Sequence, residues 1–153
     1  MIAVFRIGHA KAQSLREHAY GSDFEVGRWL SLKPGRRVVY CASSRALAQL
    51  EKRVSCHRTA PVEQALFRVD VPNGDAIPSA LANGLPGHWR DDEAVSRDFG
   101  DDWLDAGAEP AMWVPSYVEP LEFILLINPA HQSASKVAIH LEREPFIFDP
   151  RLY

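Results

Sequence analysis

The chain has 153 residues and a mass of 17.1 kDa, which is enough for one buried core and short for two, so we expect a single domain over residues 1–153. Its 17 lysines and arginines against 20 acidic residues give a formal net charge of −3. This balance argues against direct binding to nucleic acid or to an anionic membrane, because both attract a basic surface. The mixture of 46% hydrophobic and 24% charged residues is that of a globular protein.

No segment of the sequence indicates membrane insertion or export. The longest uninterrupted apolar stretch, residues 123–127, is far shorter than the roughly 20 residues that cross a bilayer. The first residues lack the basic and apolar regions of a signal peptide. Cys41 and Cys56 are too far apart for a C-x-x-C motif. We therefore expect a cytoplasmic protein with reduced thiols.

Short runs of β-forming residues predict strands, in chain order, at residues 2–7, 38–41, 65–71, 111–114, 122–127, 136–140 and 145–148. Ser43 and Ser44 precede apolar residues at helical spacing and predict a helix over residues 44–57. A second helix is predicted over residues 91–99, where Asp91 and Asp92 suit the positive end of the helix dipole. Because strands and helices do not alternate regularly, we expect an α+β domain with a mixed β-sheet core and flanking helices.

Familiar cofactor and catalytic motifs are missing from the sequence, which contains no G-x-G-x-x-G, G-x-x-x-x-G-K-[ST], H-E-x-x-H or G-x-S-x-G. A dinucleotide-binding dehydrogenase, a P-loop NTPase, a zincin and an α/β-hydrolase therefore lose support. The six histidines never fall at metal-ligand spacing on one predicted face. We expect no bound metal.

The segment Gly27-Arg28-Trp29 lies in a predicted loop, where the glycine lets the backbone approach another group closely. The guanidinium of Arg28 is a planar set of donors that binds phosphate through two hydrogen bonds. The alternative is a surface arginine stacked on Trp29, and spacing alone favours that alternative.

Two further side chains are candidates for a functional site. Glu51 lies one turn beyond Leu47, at the edge of the apolar face of the first helix, and a half-buried carboxylate there is costly unless it is paired. The alternative is a solvent-exposed carboxylate beside lysine and arginine. Ser116 closes a predicted strand and offers a hydroxyl to a ligand, although ordinary turn capping also explains it. No neighbouring motif supports Ser116 as a nucleophile.

Taken together, these segments resemble the RES-domain family, the toxin half of bacterial toxin–antitoxin pairs whose antitoxin carries an Xre-type helix-turn-helix. The family is named for an arginine, a glutamate and a serine, which are Arg28, Glu51 and Ser116 in this sequence. The resemblance rests on the order and spacing of short segments at residues 5–7 (FRI), 27–29 (GRW), 38–42 (VVYCA), 46–51 (ALAQLE), 114–116 (VPS), 127–131 (INPAH) and 148–152 (FDPRL).

The resemblance implies a fold similar to that of ADP-ribosyltransferase toxins and an enzyme that consumes NAD⁺. Such an enzyme releases nicotinamide and passes ADP-ribose to inorganic phosphate or to water. Glu51, Arg28 and Ser116 are then expected to be catalytic. Arg6, Arg28, Tyr40 and Ser116 are expected to hold NAD⁺ or a phosphate co-substrate.

The chemistry of this reaction is compatible with a single carboxylate. Cleavage of the nicotinamide–ribose bond passes through an oxocarbenium-like state, as in glycoside hydrolysis. Nicotinamide leaves as a neutral molecule without taking a proton, so no second carboxyl group is needed as an acid. Glu51 would stabilise the sugar cation, and Arg28 and Arg6 would hold the pyrophosphate or a phosphate nucleophile. Tyr40 would stack on nicotinamide or donate from its hydroxyl, and Ser116 would bind the ribose or the phosphate.

Two other functions stay open. The first is a protein ADP-ribosyltransferase that uses the same residues, and the second is a catalytically silent relative retained for antitoxin binding. The silent alternative arises because members of the family usually carry asparagine after the Arg-Trp pair, where this chain has Leu30. The resemblance also implies an Xre-type antitoxin as the partner, and we expect the toxin subunits to pair with each other.

Overall fold

An antiparallel β-sheet of six strands forms the centre of the molecule, which a computed structural model describes over residues 1–23, 27–56, 61–72 and 76–152. The strands are β1 (Ile2–His9), β2 (Val39–Ala42), β3 (Gln64–Val71), β4 (Ala111–Pro115), β5 (Phe123–Ile127) and β6 (Ala138–Arg143). Their order across the sheet is β4-β5-β2-β1-β3-β6, and every neighbouring pair is antiparallel.

The α-helices within these ranges are α1 (Leu15–His18), α2 (Arg45–Ser55) and α3 (Glu93–Ala106). Ser44 begins α2, and its hydroxyl accepts a hydrogen bond from the Leu47 N–H at 3.0 Å. Asp92 begins α3 and accepts from the Ala94 N–H at 2.9 Å. Single 3₁₀ turns cover Tyr20–Asp23, Ala80–Ala82, Gln132–Lys136 and Pro150–Leu152.

The sheet buries apolar side chains on both of its faces, because successive residues of a strand point to opposite sides. On one face Phe5 and Ile7 of β1 pack in the same cluster as Leu47 of α2. On the other face Val4 packs with Leu15 of α1. We call these the α2 face and the α1 face of the sheet.

The α+β fold predicted from the sequence is confirmed, with one difference in the sheet and one in the strand list. The sheet is antiparallel rather than mixed, and the parallel pairing seen among the described residues is the isolated bridge between Ser79 and Trp113. The prediction of a strand over residues 145–148 is wrong. Phe146 and Phe148 are buried and their neighbours are exposed, so the burial alternates as in a strand, but Pro145 has no N–H for a sheet.

Helix α3 is longer than the sequence predicted, because it continues through Gly100 and ends at Gly107. Gly107 has φ 63°, the left-handed conformation that commonly ends helices. The carbonyl of Trp29 packs where a side chain at position 100 would begin. Gly100 is therefore needed for the close packing of α3 against Trp29. The helix predicted over residues 44–57 is confirmed from Arg45 to Ser55, and residue 57 lies outside the described residues.

Candidate functional site

The glutamate on α2 is hydrogen-bonded to the serine that follows β4. Leu47 and Glu51 are four residues apart and therefore lie on the same side of the helix, where Leu47 is buried and Glu51 half-buried. The Ser116 hydroxyl donates to Oε1 of Glu51 at 2.7 Å. This contact joins two residues 65 positions apart in the sequence.

Ser116 has no hydrogen-bonding capacity left for a ligand in this arrangement. Its oxygen accepts from the N–H groups of Val118 at 3.1 Å and Glu119 at 3.0 Å, while its single hydrogen goes to Glu51. A hydroxyl offers one donor and two acceptor sites, and Ser116 is only 1% exposed. The serine therefore caps a turn and orients the carboxylate at the same time.

Burial raises the pKa of the Glu51 carboxyl above its ordinary value, and the hydrogen bond from Ser116 opposes that shift by favouring the charged form. The carboxylate is thus kept in a weakly solvated position with a fixed orientation. Such a group interacts strongly with a positive charge that develops beside it, because little water screens the interaction.

Arg28 lies in a tight turn in which the Gly27 N–H donates to the Leu30 carbonyl at 3.1 Å. Trp29 and Leu30 are buried in the cluster on the α2 face, so the turn is fixed to the core by the two residues after the arginine. Leu30 is 3% exposed. An apolar side chain suits that buried position.

The guanidinium of Arg28 stacks on Tyr117, the residue directly after Ser116. Its Cζ lies 3.7 Å from the centre of the tyrosine ring, within the range of a cation–π contact. It also donates to Oε1 of Glu93 at 3.1 Å and to the Arg90 carbonyl at 3.1 Å. Glu51 and Arg28 therefore contact two consecutive residues, Ser116 and Tyr117, which directly follow β4.

Arg90 and Tyr117 belong to this cluster and were missed by sequence reasoning. The Arg90 guanidinium donates to the Tyr117 carbonyl at 2.9 Å, and its Cζ lies 4.4 Å from the tyrosine ring centre. Tyr117 is 43% exposed, so one aromatic ring carries two guanidinium groups at the surface. One feature of the sequence could have indicated Arg90. It is next to a tryptophan, Trp89, as Arg28 is next to Trp29.

Helix α3 holds the arginine turn in place. The Ser96 hydroxyl donates to the Arg28 carbonyl at 2.6 Å, and Nε of Arg97 donates to the Gly27 carbonyl at 3.0 Å. Arg97 also bonds to Oε2 of Glu93 at 2.6 Å, so one carboxylate serves two guanidinium groups. The contacts from Ser96 and Arg97 therefore fix the backbone that carries Arg28.

Tyr40 lies directly beneath this turn. Its ring packs against the cluster on the α2 face, and a side chain at position 27 would collide with its hydroxyl. Gly27 is therefore needed for a close approach to Tyr40, which identifies the group that the glycine was predicted to approach. Burial raises the pKa of the Tyr40 phenol, so it is a neutral hydroxyl at any physiological pH.

Arg6 is the one predicted site residue that the structure does not bring to the cluster. It follows Phe5 in β1 and points to the opposite, α1 face of the sheet. There its guanidinium donates to the His18 carbonyl at 2.9 Å and to the backbone carbonyl of Tyr40 at 3.1 Å. These bonds give Arg6 a structural role between α1 and β2, and its proposed contact with a ligand stays a prediction.

Within the described ranges no helix is both long and apolar enough to span a bilayer, and no group of three or more His, Cys, Asp or Glu side chains is arranged to hold a metal ion. What remains is a half-buried carboxylate of fixed orientation, with a cluster of guanidinium groups and an exposed aromatic ring close to it. This set defines a class of site that takes an anionic ligand and stabilises positive charge near one carboxylate.

Comparison with known proteins identifies the family. The model of the RES domain matches residues 3–149, nearly the whole chain, and the chain belongs to the RES domain family. The family prediction made from the sequence is therefore confirmed.

Three relatives are similar over most of their length. A protein of Yersinia enterocolitica named "Toxin Res" is 32% identical over 87% of this chain and 88% of its own. A protein of Sphingobium named "Prs ADP-ribosylating toxin" is 35% identical over 86% of this chain and 83% of its own. A "Toxin Res" of Pseudomonas putida is 32% identical over 83% of this chain and 86% of its own.

Proposed function

We propose that this protein is a toxin that consumes NAD⁺ by breaking the bond between nicotinamide and ribose. The observation that carries the proposal is the pairing of Glu51 with Ser116 at 2.7 Å, one residue from the ring on which Arg28 stacks. The reaction needs a carboxylate for the sugar and cations for the phosphates, and these two requirements meet at the end of β4. Membership of the RES family, with relatives named as toxins, supports the same conclusion.

Glu51 acts on the charge that forms on the ribose. As the C1′–N bond breaks, its electron pair goes to the departing nicotinamide, which becomes neutral, and the ribose becomes an oxocarbenium-like cation. The oriented carboxylate stabilises that cation more than it stabilises the starting nucleotide. An oxygen nucleophile then forms the new bond at C1′. Ser116 is a positioning residue, because it acts through Glu51.

Arg28 and Arg90 hold the pyrophosphate of NAD⁺. Both guanidinium groups lie against Tyr117, and each is a planar donor suited to phosphate oxygens. Arg28 is bound to Glu93, so the phosphate competes with this carboxylate for the guanidinium. The Glu93 side chain is 55% exposed and can turn into solvent when the phosphate binds.

The acceptor of ADP-ribose distinguishes two candidate functions. Inorganic phosphate or water makes the protein an NAD⁺ phosphorylase or glycohydrolase, which is our first proposal. A protein acceptor makes it an ADP-ribosyltransferase, and the similarity to a relative named for ADP-ribosylation favours this second candidate. Incubation with NAD⁺, with and without phosphate, followed by mass analysis of the products, separates a small ADP-ribose phosphate from free ADP-ribose and from a modified protein.

Substitution of Glu51 tests the shared step. Glu51→Gln keeps the shape of the side chain and removes its charge, so nicotinamide release should fall by about 100-fold or more. Glu122→Gln is the matched control, because Glu122 is an exposed carboxylate beside β5 at the same end of the sheet, and it should release nicotinamide at the rate of the unmodified protein. A Glu51→Gln protein of full activity would remove Glu51 from the mechanism. A complete lack of nicotinamide release by the unmodified protein would favour the catalytically silent alternative associated with Leu30.

An enzyme that drains NAD⁺ needs a partner that covers its site, and we propose an Xre-type antitoxin in the cytoplasm. Leu50 and Val54, on α2 beside Glu51, are 41% and 56% exposed, and a protein that covers the carboxylate would bury them. Pairing of the toxin subunits belongs to the same proposal. Addition of the antitoxin should stop nicotinamide release, and Leu50→Ser with Val54→Ser should weaken that inhibition.

A further inference from the structure

A tight turn presents basic side chains at the far end of the sheet from Glu51. Lys33-Pro34-Gly35-Arg36 is closed by a hydrogen bond from the Arg36 N–H to the Lys33 carbonyl at 3.0 Å. Gly35 has φ 79°, as the third position of a type II turn requires, and proline precedes it, as is common there. The turn therefore fixes the backbone from which Lys33 and Arg36 extend.

This turn forms one wall of a cavity of about 550 Å³, a volume within the range of small-molecule sites. We call it the basic cavity, because four cationic side chains and one carboxylate line it, although the whole chain carries a net charge of −3. The charged residues are Arg16, Lys33, Arg36, Arg37 and Asp105. Pro34, Leu104 and Pro129 contribute apolar walls.

Arg36 is bound to the carboxylates near the cavity. It donates to Asp105 at 2.6 Å and lies 3.3 Å from Asp101, so it fixes the turn to α3 and compensates one of these two negative charges. In the described part of the chain neither Arg16 nor Lys33 has a carboxylate within ion-pair distance. The two charges of Arg16 and Lys33 outweigh the one carboxylate charge that Arg36 leaves uncompensated, and this excess of positive charge points to an anion as the natural occupant.

The basic cavity is separate from the candidate NAD⁺ site. Ser116 pairs with Glu122 at one end of β4 and β5, and Asn128, which lines the cavity, pairs with Pro110 at the other. Six residues of antiparallel strand separate these ends by about 20 Å. The two sites also lie at opposite ends of α3, since Arg28 contacts Glu93 and Arg36 contacts Asp105.

We propose that the basic cavity binds a second small ligand, an organic phosphate of nucleotide size. Its phosphates lie against Arg16 and Lys33, where two cations act on one polyanion. Its organic part lies against Pro34, Leu104 and Pro129. Inorganic phosphate would leave most of the 550 Å³ unfilled, which is why the proposal requires an organic portion.

The test is calorimetric titration of ADP into the full chain carrying Arg28→Ala, so that the candidate NAD⁺ site contributes little binding. Lys33→Gln in this background should weaken ADP binding about tenfold or more, because it removes a charge-assisted contact. Lys33 is exposed, so the substitution leaves the fold intact. Lys11→Gln is the matched control, since Lys11 is another exposed lysine that does not line the cavity, and it should bind ADP as the background protein does.

Three results would overturn the proposal. ADP binding that disappears with Arg28→Ala alone would assign all binding to the candidate NAD⁺ site. Equal weakening by Lys33→Gln and Lys11→Gln would show that only net charge matters. Pyrophosphate that binds as tightly as ADP would show that the apolar walls make no contact. The readout is binding rather than turnover, so failure here is distinguishable from failure of the proposed NAD⁺ cleavage.

Discussion

Replacement of Ser116 by alanine removes three hydrogen bonds at once and tests whether the serine sets the charge state of Glu51. The bond to the Glu51 carboxylate, at 2.7 Å, is charge-assisted and contributes about 1.5–3 kcal/mol. The other two bonds are donated by the N–H groups of Val118 and Glu119. Both residues are half-buried, so water can partly replace the lost acceptor. We therefore expect a loss of about 3 kcal/mol in the free energy of unfolding at pH 7, or a fall of roughly 6–12 °C in Tm.

The effect on pH dependence separates positioning of the carboxylate from simple turn capping. The Ser116 bond favours the charged form of Glu51, so the alanine variant has a higher Glu51 pKa than the unmodified protein. The acid limb of the pH–rate profile for nicotinamide release should move to higher pH. The same linkage predicts that the stability difference between the two proteins grows as pH rises through the Glu51 pKa and shrinks in acid, where the carboxyl is protonated in both.

Urea unfolding at several pH values and a pH–rate profile measure both effects. Ser55→Ala is the control, because the Ser55 hydroxyl donates to a helix carbonyl at an exposed position, and it should change stability by no more than about 0.5 kcal/mol and leave the pH profile unchanged. A Ser116→Ala protein that loses stability but keeps the acid limb in place would show that the serine only caps its turn. Unchanged stability would refute the hydrogen-bond geometry itself.

Three further substitutions test other parts of the structure. Burial and the nearby Arg6 lower the pKa of His18 from 6.5 to about 4, so stability should fall by about 3 kcal/mol as pH drops from 6.5 through 4, and calorimetric unfolding of His18→Gln should lack this fall. Gly100→Ala places a methyl group against the Trp29 carbonyl and should lower the unfolding free energy by about 1–3 kcal/mol, whereas Gly87→Ala, with open space around it, should be neutral in the same assay. Glu93→Gln removes the carboxylate that competes for Arg28 and should lower KM for NAD⁺ with little change in kcat, and a raised KM would contradict that competition.

The strands and α2 were predictable from the sequence because local patterns determine them. Ser44 supplies the cap of α2 and Leu47 its buried contact, as the spacing indicated. Leu50 and Val54 fall at the same helical spacing as Leu47, but the structure leaves both exposed and half-buries Glu51. A helix position is buried or exposed according to what lies opposite it, which the periodicity of one segment does not contain.

The missed parts of the site depend on contacts between distant segments. Arg28 bonds to the Arg90 carbonyl across 62 positions, and Tyr117 receives guanidinium groups from positions 28 and 90 of the chain. A single sequence gives no measure of such pairings. The direction of Arg6 was open for a related reason. The sequence indicates that Arg6 lies in a buried strand, but it does not indicate which face of the sheet the side chain occupies.

The candidate site is assembled from two parts that the fold connects at one point. Glu51 and Ser116 are fixed by α2 and β4, whereas the turn carrying Arg28 receives its polar contacts from α3 and from Tyr117. The two parts meet at the peptide bond between Ser116 and Tyr117. A small shift of α3 would therefore move the cations relative to the carboxylate while the sheet stays intact. Because the cations bind phosphate and the carboxylate stabilises the ribose cation, changes on α3 should alter KM for NAD⁺ and changes around Ser116 should alter the rate of bond cleavage.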